Sequence, residues 1–241
     1  MNRTVIAETV RRHVTNIGYL AYLALLGLVA FGVAGFNRPA SAWPSLVTLL
    51  AFITGCGAIG PEFSSGTLQL ILVKPVNRAV YLLSRVTGIV LVVWMAALLA
   101  AMCETAGRAV WGSHVIPWAP ISAGLLNVCV DALLAVSLLA LLGSLTRAYF
   151  NIAIYLVCMV GLSLTSVVMG MLRQSRNAMG VFLLQHPGVE RGLSVVDHNL
   201  FPDVLPRFDT TWLLMVLSNA AIALVLACLA FRRREVPYGA D

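Results

Sequence analysis

Charge is the scarcest property of this sequence. Asp, Glu, Lys and Arg make up 11% of its 241 residues, whereas 60% are hydrophobic. Mean hydropathy is +0.90. A soluble domain carries about 25% charged residues to keep its surface wet, so a free-standing soluble enzyme is excluded. Familiar catalytic spacings are also missing. There is no GxxxxGK[ST] phosphate loop, no HExxH metal pair, no GxSxG nucleophile turn and no Asp-rich motif for lipid phosphotransfer. His13, His114, His186 and His198 fall in flanks or loops. Cys56, Cys103, Cys129, Cys158 and Cys228 lie inside or at the ends of apolar stretches, without CxxC or Cys/His ligand spacing. They read as small apolar packing residues. No catalytic residue, metal site or cofactor of its own is therefore expected, and no nucleic-acid partner.

What the chain does have is long apolar blocks. Six of them, at about 17–36, 43–60, 86–106, 121–143, 148–172 and 211–231, meet or approach the roughly 20 residues that a helix needs to cross about 30 Å of hydrocarbon. Backbone groups in lipid must satisfy one another, and the alternation of a barrel strand is absent, so the blocks predict helices. The fold class expected is an all-α integral membrane protein of six transmembrane helices. Ala40-Ser41-Ala42 resembles a signal-peptidase site, but the preceding apolar run is longer than a signal core and 16 residues lie before it. That run is therefore read as the first span.

Basic residues set the orientation. With a cytoplasmic N-terminus and six alternating spans, Arg3, Arg11, Arg12, Lys74, Arg78, Arg85, Arg147 and Arg232 to Arg234 stay inside. Arg38, Arg108, Arg173, Arg176, Arg191 and Arg207 lie outside, and the larger set belongs to the cytoplasm. The expectation is a multi-pass protein of the plasma membrane, the inner membrane in bacteria, with both termini cytoplasmic.

Residues 1–16 precede the first block. Val5, Ile6, Thr9, Val10 and Val14 share one helical face, while Arg3, Glu8, Arg11 and Arg12 lie mostly elsewhere. This pattern predicts an amphipathic helix in the cytoplasmic interface, with its arginines near anionic lipid headgroups. Residues 17–241 form the membrane domain. Its cytoplasmic loop, about 61–85, starts with Pro61 and Glu62, which suit the first turn of a helix. Leu68, Ile71, Leu72 and Val76 then leave an apolar stripe, which Lys74-Pro75 interrupts. An amphipathic cytoplasmic piece of this kind has the shape of a docking element.

The same loop resembles a known family. An acidic residue (Glu62), then Gly66-Thr67, an apolar run from Leu68 to Val73, and Lys74-Pro75-Val76-Asn77-Arg78 is similar to a motif of the permease subunits of ABC-2 type transporters. The six blocks, the N-terminal helix and the long loop before the last block fit the same architecture. The resemblance implies a permease of export type that is powered by a separate cytoplasmic ATPase, where ATP and Mg would bind. It also implies a second copy or homologue of the permease, and contact of the N-terminal helix and the loop with the ATPase. Coupling to the ATPase would then involve Glu62, Gly66, Thr67, Lys74, Pro75 and Arg78. Glu62 suits a charge-assisted hydrogen bond to the partner or a helix N-terminal role; Lys74 and Arg78 also suit membrane anchoring.

Polar residues within the blocks complete the candidates. Asp131 sits near the middle of the fourth block, where an ionised carboxylate is costly, so neutrality, pairing or a wet interior is expected. Glu104 and Arg108, four apart, suit an ion pair at the outer end of the third block. Asn151 and Asn219 suit interhelical hydrogen bonds, and Ala96, Ala97, Ala100 and Ala101 a close-packing face. The outer loop, about 173–210, is neutral overall and broken by Pro187, Pro202 and Pro206. Short interfacial helices are expected there, and an accessory protein is compatible with it. Two other functions fit the composition: a non-transporting anchor or assembly factor, and a gradient-driven transporter using Asp131.

Overall fold

The computed structural model describes residues 2–35, 43–57, 77–111, 116–146, 150–174, 187–202 and 207–233. Among these the regular structure is entirely helical: α1 Arg3–Val14, α2 Ile17–Gly35, α3 Trp43–Cys56, α4 Arg78–Val110, α5 Trp118–Leu145, α6 Phe150–Gln174, α7 Pro187–Leu200 and α8 Thr210–Arg233. Local chemistry explains several starts. The Asn2 side chain accepts from Thr4 N at 3.1 Å, and Asn77 does the same for Ala79 N at 3.0 Å. Asp209 accepts from Thr211 N at 2.9 Å ahead of α8. Pro44, Pro120 and Pro187 occupy first turns, where no amide donor is needed.

Among the described residues, four helices are long and apolar enough to cross a membrane: α2, α4, α5 and α8. α3 and the Phe150–Leu162 part of α6 are apolar but shorter. The helices overrun their apolar blocks where polar residues find partners inside the bundle. α4 covers 33 residues. Its first eight, 78–85, were assigned from sequence to the cytoplasmic loop; they are helical because Asn77 caps them and Ser84 and Arg85 are occupied against α1.

The first compact unit comprises residues 1–151 and 204–241. α4 is its axis, packed by α1, α2, α3, α5 and α8, while α5 also packs α3 and α8. Leu82, Ile89, Val92, Val93 and the four alanines Ala96, Ala97, Ala100 and Ala101 are buried along α4, with Val128, Ala132, Val136 and Ala140 on α5. A second seam joins Val130 and Leu134 of α5 to Trp212, Leu213, Val216 and Ala220 of α8. The second unit, Ile152–Asp203, holds the rest of α6 and α7. Tyr155 and Phe201 meet there edge to face, with centroids 5.1 Å apart.

The long helices expose apolar faces. Leu25 and Leu28 on α2, Leu98 and Met102 on α4, and Leu214 and Val225 on α8 are exposed. Water would disfavour so much exposed apolar surface, whereas lipid tails would cover it without penalty.

Small residues set the approach of α2 to α4. A Cβ on Gly107 would meet Phe31 O at 2.7 Å and Ala34 Cβ at 2.9 Å. Gly107→Leu must push two backbones apart, and overpacking of this kind costs about 1–3 kcal/mol. Gly124, by contrast, has nothing within 4 Å of the point where a Cβ would stand, and Gly124→Ala gains helix propensity of about 1 kcal/mol. Thermal unfolding in detergent is expected to show a lowered midpoint for Gly107→Leu and an equal or raised one for Gly124→Ala.

Candidate functional site

α1 is held against the first turns of α4. Gly88 is the point of closest approach, since a Cβ there would meet Thr9 Cβ at 2.7 Å and Cγ2 at 2.9 Å. Thr9 is fully buried. Its hydroxyl donates to Val5 O at 2.7 Å and accepts from Arg85 Nη1 at 3.0 Å. About two turns before Thr9, Asn2 N donates to Ser84 Oγ at 2.8 Å. The covered stripe of α1 is thus Asn2, Val5, Ile6, Thr9, Val10 and His13. Val14, assigned from sequence to the apolar face, is 38% exposed. It lies off the stripe because the contact side follows Asn2, Thr9 and His13. Arg3, Arg11 and Arg12 face outward, and Arg11 lies 3.6 Å from Glu8 in an exposed pair.

His13 sits at the end of this joint. Its Nδ1 lies 2.8 Å from Thr9 O, an acceptor, so the N–H is on Nδ1. Burial pulls the imidazole below its ordinary 6.5; the hydrogen bond to Thr9 opposes this, and the charges of Arg85 and Arg12 reinforce it.

The loop expected to couple to an ATPase leads into the same helix. Glu62, Gly66, Thr67, Lys74 and Pro75 lie outside the described residues. Arg78 is the first residue of α4 and is half-buried, directly after the Asn77 cap. Gly88 follows ten residues later, about 15 Å along the axis.

Other polar candidates are spread through the bundle. Asp131 is buried on α5, and Thr48 of α3 donates to its Oδ2 at 2.8 Å. Asn127, one turn earlier and also buried, donates to Arg207 O at 2.8 Å. Asn151 is buried and donates to Cys56 O at 3.2 Å. Asn219 is half-buried on α8. Glu104 and Arg108 form an ion pair inside the bundle, with Nε at 3.0 Å and Nη2 at 2.7 Å from Oε1. Their side chains are only 2% and 6% exposed. Trp43 Nε1 donates to the other carboxylate oxygen, Oε2, and so ties the start of α3 to α4. These groups do not converge: Asp131 faces α3, Asn127 the approach to α8, and Glu104 the start of α3. Among the described residues no three His, Cys, Asp or Glu side chains gather as a metal would need.

Thr48, Ser84, Gly88 and Trp43 were not singled out from sequence, and Arg85 was counted only as a basic flank. The Ser84-xxx-Gly88 spacing was the available signal, because small residues four apart let a second helix come close.

Among the described residues these features define a helical protein with four membrane-length apolar helices, an amphipathic helix docked on its central helix and a sealed ion pair in its core. The chain belongs to the family described as protein of unknown function DUF2705, which it matches over residues 16–236. No curated protein matches it.

The ion pair gives a direct test of the core. Glu104→Ala strands the Arg108 charge, and breaking a buried pair costs about 3–5 kcal/mol. The double variant Glu104→Leu/Arg108→Met removes both charges and is expected to recover most of the thermal midpoint in detergent. A double variant no more stable than Glu104→Ala would mean that the pair is not sealed from solvent.

Proposed function

We propose that the chain is the membrane-spanning permease subunit of an ABC-2 type transporter, of export type, working with a separate cytoplasmic ATPase and a second permease. The observation that carries this reading is the run from Glu62 through Gly66-Thr67 to Lys74-Pro75-Val76-Asn77-Arg78, which ends at the first turn of α4. α1 is docked further along the same helix, through Ser84, Arg85 and Gly88. Arg78, the last residue of one segment that the family resemblance assigns to ATPase contact, thus opens the helix on which the other segment docks, and that helix runs on into the centre of the bundle. Force applied to either has a rigid path along α4.

In this reading α3 and α6 join α2, α4, α5 and α8 to make six spans in the plasma membrane, with both termini cytoplasmic. Exposed apolar faces on α2, α4 and α8 suit lipid and a second permease. The chain itself is not an enzyme; ATP and Mg bind in the partner. A gradient-driven transporter is the second reading, favoured by the burial of Asp131 in α5 with Thr48 as its donor.

Glu62 supplies the test. Loss of one hydrogen bond to a charged group costs about 1.5–3 kcal/mol, so Glu62→Ala is expected to weaken retention of the ATPase about tenfold or more with membrane insertion unchanged. Deletion of 66–78 should abolish ATP-dependent function. Unaltered ATPase retention and ATP-dependent activity in both variants would remove the loop from the mechanism. Flux that needs no ATPase and disappears in Asp131→Asn would instead establish the gradient-driven reading.

A further inference from the structure

We infer that the α1–α4 joint is a proton-sensitive latch, in which His13 controls whether α1 stays docked on Ser84, Arg85 and Gly88. The inference is independent of the permease reading. The joint is tight and polar at once. Thr9 is wedged against Gly88, its hydroxyl accepts from the Arg85 guanidinium, and its carbonyl lies 2.8 Å from His13 Nδ1. Arg85 is buried, at 6% exposure, and the imidazole beside it is half-buried.

The charges around His13 among the described residues are nearly all of one sign. α4 brings Arg85, with Arg78 two turns earlier, and α1 itself brings Arg12. α2, the other helix packed on α1, carries no Asp, Glu, Lys, Arg or His; the Tyr19 hydroxyl donates to Val92 O and the Tyr22 hydroxyl to Leu46 O. The only acid on α1 is Glu8, on the exposed side beside Arg11. A proton on His13 therefore places a charge in a half-buried site that hydrates it poorly, and Arg85 and Arg12 oppose it further.

The sign follows from linkage. His13 has a lower pKa docked than free, so its contribution to docking is fully present above 6.5 and is lost as pH falls through the docked-state value. Release would uncover Thr9 and Arg85 and free α1 from the helix that it otherwise moves with.

Amide hydrogen exchange of residues 3–14 in the intact chain in lipid nanodiscs tests this, after correction for the intrinsic pH dependence of exchange. Measurements at about pH 8 and about pH 5 bracket the imidazole. His13→Asn keeps a donor at the δ position but cannot titrate. The expected result is loss of protection on acidification in the native chain and retained protection in His13→Asn. Protection that is unchanged by pH in the native chain overturns the latch. Equal loss in both chains assigns the effect to another group and overturns it as well. Absence of protection at both pH values overturns the docking itself. None of these outcomes depends on an ATPase, so each is separable from failure of the transporter reading.

Discussion

Close backbone approach to α4 is the constraint on which the other contacts depend. An apolar exterior gives helices little reason to associate with one another in lipid, so packing and hydrogen bonds must hold them together. α4 meets that need near both ends with a glycine. Gly88 admits Thr9 of α1, and Gly107 admits Phe31 and Ala34 of α2. Between them the buried alanines Ala96, Ala97, Ala100 and Ala101 keep the same helix slim where the bundle core packs around it. Without these small residues neither the Arg85–Thr9 bond nor the dense core around Ile89 and Val93 could form.

The polar groups inside the bundle follow from the same constraint. Each buried one faces a penalty unless it finds a partner, and their partners lie on different elements. Glu104 takes Arg108 from its own helix and Trp43 from α3; Asp131 takes Thr48 of α3; Asn151 reaches the carbonyl of Cys56. α3, the shortest of the apolar helices packed on α4 and α5, thereby carries polar ties at Trp43, Thr48 and Cys56. Such ties specify which helix face meets which, something that apolar packing between similar helices leaves loosely defined. They also separate roles along α4: a sealed ion pair near its C-terminal end, and a titratable joint with α1 near its N-terminal end.

Much of the helical plan was legible in composition. The long blocks at 86–106 and 121–143 lie within α4 and α5, because runs of apolar residues that cannot form strands in lipid have one conformation open to them. The alanine face of α4 was legible too, since small residues at helical spacing mark close packing. Helix ends were not. α4 begins eight residues before its apolar block because Ser84 and Arg85 are satisfied by α1, more than 70 residues away in sequence. The partner of Glu104 at Trp43 was equally hidden, because no local pattern announces a contact across 61 positions. At α1 the amphipathic pattern was visible but its centre was misplaced toward Val14. Hydrophobicity alone ranks valine above the asparagine and histidine that in fact face α4. For the coupling residues from Glu62 to Pro75, the sequence motif stands without a structural description, and Arg78 is the member that ties it to α4.

The central claim is that this bundle works under the power of another chain. The most direct measurement is capture of the tagged chain from its native membrane in mild detergent, with mass spectrometry of whatever stays bound. The account predicts a stoichiometric ATPase carrying a GxxxxGK[ST] phosphate loop. A folded, intact chain that reproducibly comes through without such a subunit would contradict it.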